Sequence, residues 1–179
     1  MSVFTNSASR SADEARQYTA AILGLLGSRN PRDVLESAPQ ALRDAIAGVT
    51  AALLSRSEAP GKWSMRQVVR HFADSELVWG YRLRMVLAQD RPTIAGYDQD
   101  LWADRLGYAG ADVAHALEEF AILRRGNLAL LDAATTADLA RVGVHSERGE
   151  ESVAHMIRMY AGHDLLHLRQ LARIRSAIG

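Results

Sequence analysis

Residues 160–171 read YAGHDLLHLRQL, within a segment whose apolar residues recur at helical spacing from about Ser152 to Ile174. A helix turns about 100° per residue. With His163 at zero, His167 lies about 40° round, Met156 and Ile174 near 20°, Tyr160 near 60°, and Val153 and Leu171 near 80°. Both histidines therefore stand in the middle of the buried stripe. A buried imidazole without partners costs about 1–3 kcal/mol. One metal ion shared by two rings removes that cost for both, and i, i+4 spacing lets the rings converge, as in the H-E-x-x-H helix, whose glutamate is absent here.

Four further helices lie upstream. The first runs from about Ser11 to Gly27, with Ser11 and Glu14 in a capping-box pattern and Tyr18, Ile22, Leu25 and Leu26 at helical spacing. The second is expected to start near Ser37 and to carry Leu42, Ile46, Val49 and Leu53 on one face. In GKWSMRQVV, Ser64 and Gln67 mark the cap of the third, with Trp63 stapled onto Val68; Val68, Phe72, Trp79, Leu83 and Val86 then form a stripe to about Gln89. The fourth starts near Asp112 and carries Val113, Leu117, Phe120, Leu128 and Leu131. Residues 90–110 read as a long loop, and almost no strand is expected. The architecture implied is all-α: a four-helix bundle with an additional N-terminal helix, in one domain spanning residues 1–179.

The composition narrows the function classes. Lys+Arg and Asp+Glu are both 21, so no single-sign field recruits nucleic acid or an anionic membrane. There is no cysteine, which excludes disulfides, thiolate ligands and a cysteine nucleophile. The first residues, MSVFTNSASRSADEAR, lack an apolar run that could act as a signal peptide, and no apolar stretch is long enough for a membrane span. A cytoplasmic protein is expected.

Two imidazoles hold a metal poorly, so a third ligand is wanted. His71 lies in RHFADSE, on the bundle-facing half of the third helix and in its third turn after Ser64. His163 lies about three turns into its own helix. Parallel helices would bring the three rings to one depth, and that needs a crossover, to which residues 90–110 can contribute. His155 points to the rim, His115 to the surface, and His145 sits in the loop before the last helix. Spacing alone allows a metal site and a hydrogen-bonded core pair equally.

GKWSMRQVVRHFADSE, YRLRMVLA, YDQDLWA, ILRRGNLALL, HSERGE and GHDLLHLRQL, in this order, resemble the DinB-like (YfiT-like) family of metal-dependent enzymes. The resemblance implies a four-helix bundle, often a homodimer, whose metal is held by a histidine triad mapping to His71, His163 and His167. Three neutral imidazoles leave a divalent ion an open position. Zinc or nickel suits imidazole best, with manganese, iron and cobalt also open. Family members with assigned activities use low-molecular-weight thiols such as bacillithiol or mycothiol. The expected function is therefore a metal-dependent transferase that activates such a thiol for a small-molecule substrate. The alternatives are a metal-dependent hydrolase and a non-catalytic, stress-related dimeric metal-binding module.

Four residues are pocket candidates. Arg82 lies about 20° from His71, three turns on, and suits an anion contact. Gln170 shares the line of His163 and His167 and can orient His167. Trp102 of the long loop is a candidate cap, and His145 a candidate acid–base group. Asp74 and Glu76 are not assigned catalytic roles, since helical angles turn Glu76 away from His71.

Overall fold

The computed structural model describes residues 12–178. Its elements are α1 (Ala12–Leu26), α2 (Pro31–Ile46), α3 (Ala51–Leu54), α4 (Met65–Ala88), β1 (Thr93–Ile94), α5 (Gln99–Arg105), α6 (Val113–Asp132), α7 (Thr136–Leu139), β2 (Val142–His145), β3 (Gly149–Ser152) and α8 (Val153–Ile178), with a 3-10 turn at Tyr108–Gly110. The expected cap at Ser11 lies outside the described residues.

The Ser64 cap forms as the sequence implies: its hydroxyl accepts from the Gln67 amide, and the Gln67 side chain accepts from the Ser64 amide. α2 departs from expectation. It starts at Pro31, six residues before Ser37, because the Asn30 side chain accepts from the Arg32 amide and proline suits the first helical position. Ser37 instead bonds back to the carbonyls of Asp33 and Val34 within the helix. α2 also ends early, ahead of Gly48 at φ +73°, so Leu53 belongs to the separate α3, capped by Thr50. Pro39 sits inside α2, where its missing amide frees the carbonyl of Leu35. Arg124 Nη1 donates to that carbonyl at 2.8 Å.

The two connections hold more structure than the sequence suggests. Residues 90–110 contain β1, α5 and the 3-10 turn, and Asp98 caps α5 by accepting from the amides of Asp100 and Leu101. β2 and β3 form a hairpin, and β1 adds in parallel to make a three-stranded sheet, with Thr93 opposite Val144 and Ile94 opposite His145. A side chain at Gly143 would strike Ile94 and Val86, so glycine lets this sheet seat against the end of α4.

Four helices form the bundle, packed in the ring α2–α6–α4–α8, with α1 laid on α8. α1 approaches closely because residue 162 is glycine: a Cβ there would lie 2.5 Å from the Ile22 carbonyl oxygen. Direction follows from the contacts. Arg70 pairs with Glu119 and Arg84 with Asn127, so α4 and α6 run the same way. Phe72 meets His167 while Trp79 and Arg82 meet Tyr160, so α4 and α8 run oppositely. The parallel arrangement expected for the histidine helices is thus corrected. The crossover exists, but it joins α4 to α6, returning the chain to where Arg66 Nη1 donates to the Ala111 carbonyl.

The apolar core is split in two. One cluster gathers Met65, Val68, Phe72, Phe120, Leu171 and Ile174; the other gathers Trp79, Leu83, Val86, Leu128, Val153 and Met156. Along α8, buried His163, Asp164, His167 and Gln170 fall between them. Among the described residues no helix is long and apolar enough to cross a membrane.

Candidate metal centre

His71 comes from α4, about two turns past its capped start, and His163 and His167 from successive turns of α8. All three are buried. The Nε2 atoms of His71 and His163 lie 3.2 Å apart, and those of His163 and His167 3.1 Å apart. Among the described residues they are the group of three ligand-type side chains close enough to share an ion.

The arrangement fits a cation better than hydrogen bonds. His163 Nε2 touches two ring nitrogens and can bring at most one proton, so one proton must serve two contacts or lone pairs must face each other. Gln170 Oε1, 2.7 Å from His167 Nδ1, accepts the proton there and leaves the His167 Nε2 lone pair aimed at the cluster. An ion bonded at about 2.0–2.1 Å to tetrahedrally placed nitrogens holds them about 3.3 Å apart. The observed separations lie just inside that value.

Burial holds the rings in the ligand form. Desolvation pushes His71 and His163 well below the usual imidazole range, and His167 down to about 4. These groups stabilise the metal-free fold fully above the unfolded value of about 6.5, and the contribution is lost as pH falls toward their folded values. Asp164, pushed up to about 6 by burial against the pull of Arg124, acts in the opposite sense, since its protonation on acidification relieves a buried charge. Three histidines outweigh one carboxyl. Metal-free protein is expected to unfold at lower urea at pH 5 than at pH 7, by about 3 kcal/mol or more. A His71→Gln/His163→Gln/His167→Gln variant should lose most of that slope; an equal slope would show that the acid sensitivity arises elsewhere.

Beside the cluster lies a network absent from the sequence reading. Arg124, 1% exposed, is bonded to Glu76 at 2.8 Å and to Asp164 at 2.7 Å, and its guanidinium lies 4.7 Å from the Phe120 ring centroid. Asn127 Nδ2 donates to the same Glu76 carboxylate at 2.8 Å. With the Leu35 carbonyl, the network ties α2, α4, α6 and α8 together. Glu76 faces this layer and not His71, as its helical angle implies.

A cavity of about 70 Å³ opens onto His163. Arg82 and His145 line it, joined by Tyr18, Tyr97, Arg148 and Tyr160. Burial pushes the phenols of Tyr18, Tyr97 and Tyr160 up, so they stay protonated donors. The other two pocket candidates stand elsewhere. Gln170 reaches His167 from the far side and borders a separate hollow with Trp63 and Lys62. Trp102 is half-buried and packs behind Tyr97 with its ring tilted 47°, ring centroids 4.5 Å apart, outside the cavity lining. His155 is half-buried at the rim and His115 exposed, as expected. Sequence reasoning missed Tyr18, Tyr97 and Arg148 as lining residues. Tyr97 and Arg148 lie in YDQDLWA and HSERGE, the loop segments that carry part of the family resemblance, and Tyr18 faces inward only because α1 docks on α8.

Comparison with known proteins agrees with this geometry. Residues 35–171 match the model of the DinB superfamily. Two proteins named Putative metal-dependent hydrolase are each 28% identical: one of Oceanobacillus iheyensis over 140 residues, 78% of this chain and 81% of the relative, and YfiT of Bacillus subtilis over 144 residues, with the same coverages. The solved structure of Bacillus subtilis YfiT, described as having an unusual four-helix bundle topology, superposes with a TM-score of 0.74 at 27% identity, covering 82% of this chain and 86% of that one.

Proposed function

The chain belongs to the DinB superfamily, and on that premise we propose that His71, His163 and His167 hold one divalent metal ion, used to hydrolyse a small molecule bound in the adjoining cavity. The observation that carries this reading is the convergence of three buried imidazoles, with His163 Nε2 3.2 Å from that of His71 and 3.1 Å from that of His167, beside a cavity that reaches His163. A divalent ion with an open position supplies Lewis acidity and lowers the pKa of water bound to it. Imidazole ligands point to zinc or nickel ahead of manganese, iron or cobalt. No carboxylate or further histidine among the described residues joins the three as a fourth ligand, which favours an open site over a closed structural one.

The chain's own residues then have distinct tasks. Gln170 holds the tautomer of His167. The His145 ring accepts from the Glu147 amide through Nδ1 at 3.2 Å, so its proton sits on Nε2. There it stands as a neutral N–H donor facing the cavity. Thiol transfer would use the same open position, but no feature of the cavity selects sulfur, and the named relatives weigh toward water as the nucleophile.

The test is to load the protein with zinc or nickel and assay ester, amide and lactam hydrolysis, with a parallel arm of low-molecular-weight thiols and electrophiles. Turnover without thiol, lowered about a hundredfold or more in His167→Ala, is the expected result, since loss of even a supporting residue costs 10–100-fold. Turnover only with thiol would transfer the assignment to the transferase class. No turnover in either arm, or equal turnover by the variant, would overturn the enzyme reading.

A further inference from the structure

Among the described residues, Arg82 is a buried cation without a counter-ion. Its side chain is 7% exposed and donates to the Ala95 carbonyl and, at 3.3 Å, to the Tyr160 hydroxyl. Its guanidinium lies 5.8 Å from the Tyr97 ring centroid. Among the described residues no carboxylate pairs with it, whereas Arg124 has Glu76 and Asp164, and Arg148 has Glu151 at 2.9 Å. An unpaired charge out of water costs several kcal/mol, and fixed dipoles offset only part of it.

A second group in the same cavity is equally incomplete. His145 is 2% exposed, and among the described residues its Nε2 has no hydrogen-bond partner. With Nδ1 accepting from the Glu147 amide, that nitrogen is an N–H donor with no acceptor. Glu147 also lines the cavity, its carboxylate against Gly96. The unpaired Arg82 guanidinium, the Glu151-paired guanidinium of Arg148, one imidazole N–H and the phenols of Tyr18, Tyr97 and Tyr160 thus surround a space of about 70 Å³, room for roughly five water-sized positions.

We propose that this cavity captures a compact oxyanion, the carboxylate or phosphate head of the substrate, with Arg82 and His145 Nε2 as its principal donors. The substrate class is therefore a small organic anion. Arg82 anchors its charged end and the bond to be cleaved faces His163. The inference rests on the proposed metal centre only for which end of the molecule reacts. Anion capture itself belongs to Arg82 and His145 and requires no metal.

The experiment uses full-length protein stripped of metal by chelation and dialysis, so that no ion competes for the probe. Inorganic phosphate and, separately, acetate and succinate are titrated by calorimetry into wild type, Arg82→Met, Arg82→Lys and His145→Gln, and each protein's zinc stoichiometry is measured in parallel. Wild type is expected to bind at least one anion saturably. Affinity should fall at least about tenfold in Arg82→Met, and less in Arg82→Lys, which keeps the charge but not the planar fork. Zinc stoichiometry should be unchanged throughout. Preference for phosphate over the carboxylates, or the reverse, identifies the head group. No saturable binding by wild type, or equal binding by Arg82→Met, overturns the proposal. Should Arg82→Met fail to fold, Arg82→Lys and His145→Gln carry the test, and wild-type affinity in both overturns it. Loss of zinc binding with anion capture intact would remove the metal reading and leave this one standing.

Discussion

Arg124→Met is expected to lower the unfolding free energy at pH 7.5 by about 3–5 kcal/mol, a large share of what a domain of this size has. The side chain is 1% exposed and stands between Glu76 and Asp164, so removing its charge leaves two buried carboxylates without a cation. It also strands the Leu35 carbonyl that Pro39 leaves unbonded. Asp164, already pushed up to about 6, should rise further and take a proton, so acidification to pH 5.5 should recover part of the loss relative to wild type. Removing the whole network, as Arg124→Met/Glu76→Gln/Asp164→Asn, should be milder than the single change, because no uncompensated charge is left. Urea unfolding followed by circular dichroism at both pH values measures all of this. A loss below 1 kcal/mol at pH 7.5 would mean that the network is incidental to the fold.

Metal removal should have an effect of similar size. Free ion at about a thousandfold its dissociation constant adds about 4 kcal/mol to stability, which for a domain of 150–250 residues corresponds to roughly 8–16 °C in Tm. Chelated wild type is therefore expected to melt lower than zinc-loaded wild type by about that interval. His163 Nε2 is the nitrogen within 3.2 Å of both others, so its loss should disable the site most completely. In His163→Ala the difference between chelated and loaded protein should vanish. Identical melting of loaded and chelated wild type would mean that the three rings hold no ion in solution.

The architecture was legible because its start signals are written locally, and the grouping of His71 with His163 and His167 because the family motifs name all three. Ser64 with Gln67, and Asp112 ahead of Val113, are start signals that no distant contact overrides. His163 and His167 sit at an angle that only a buried face explains. What escaped depends on partners far along the chain. Arg124 lies in a helix whose charged residues Glu118 and Arg125 are exposed, and nothing local distinguishes it; its burial follows from Glu76, 48 residues before it, and Asp164, 40 residues after it. The opposed directions of α4 and α8 were hidden because helical angles give a face and a depth, never a polarity. α2 starts earlier than the serine at 37 suggests because Asn30 followed by proline is the stronger start signal. The sheet was missed because β1 has only two residues and pairs with β2 across 51 positions. Trp102, placed as a cap, turned out to support Tyr97, the ring that lines the cavity.

X-ray absorption at the metal edge of the loaded wild-type protein reads the ion's surroundings directly. The account predicts one ion per chain with three imidazole nitrogens at about 2.0–2.1 Å and at least one light-atom ligand from solvent. Fewer than three imidazoles, or a first shell filled by four side chains, would contradict it.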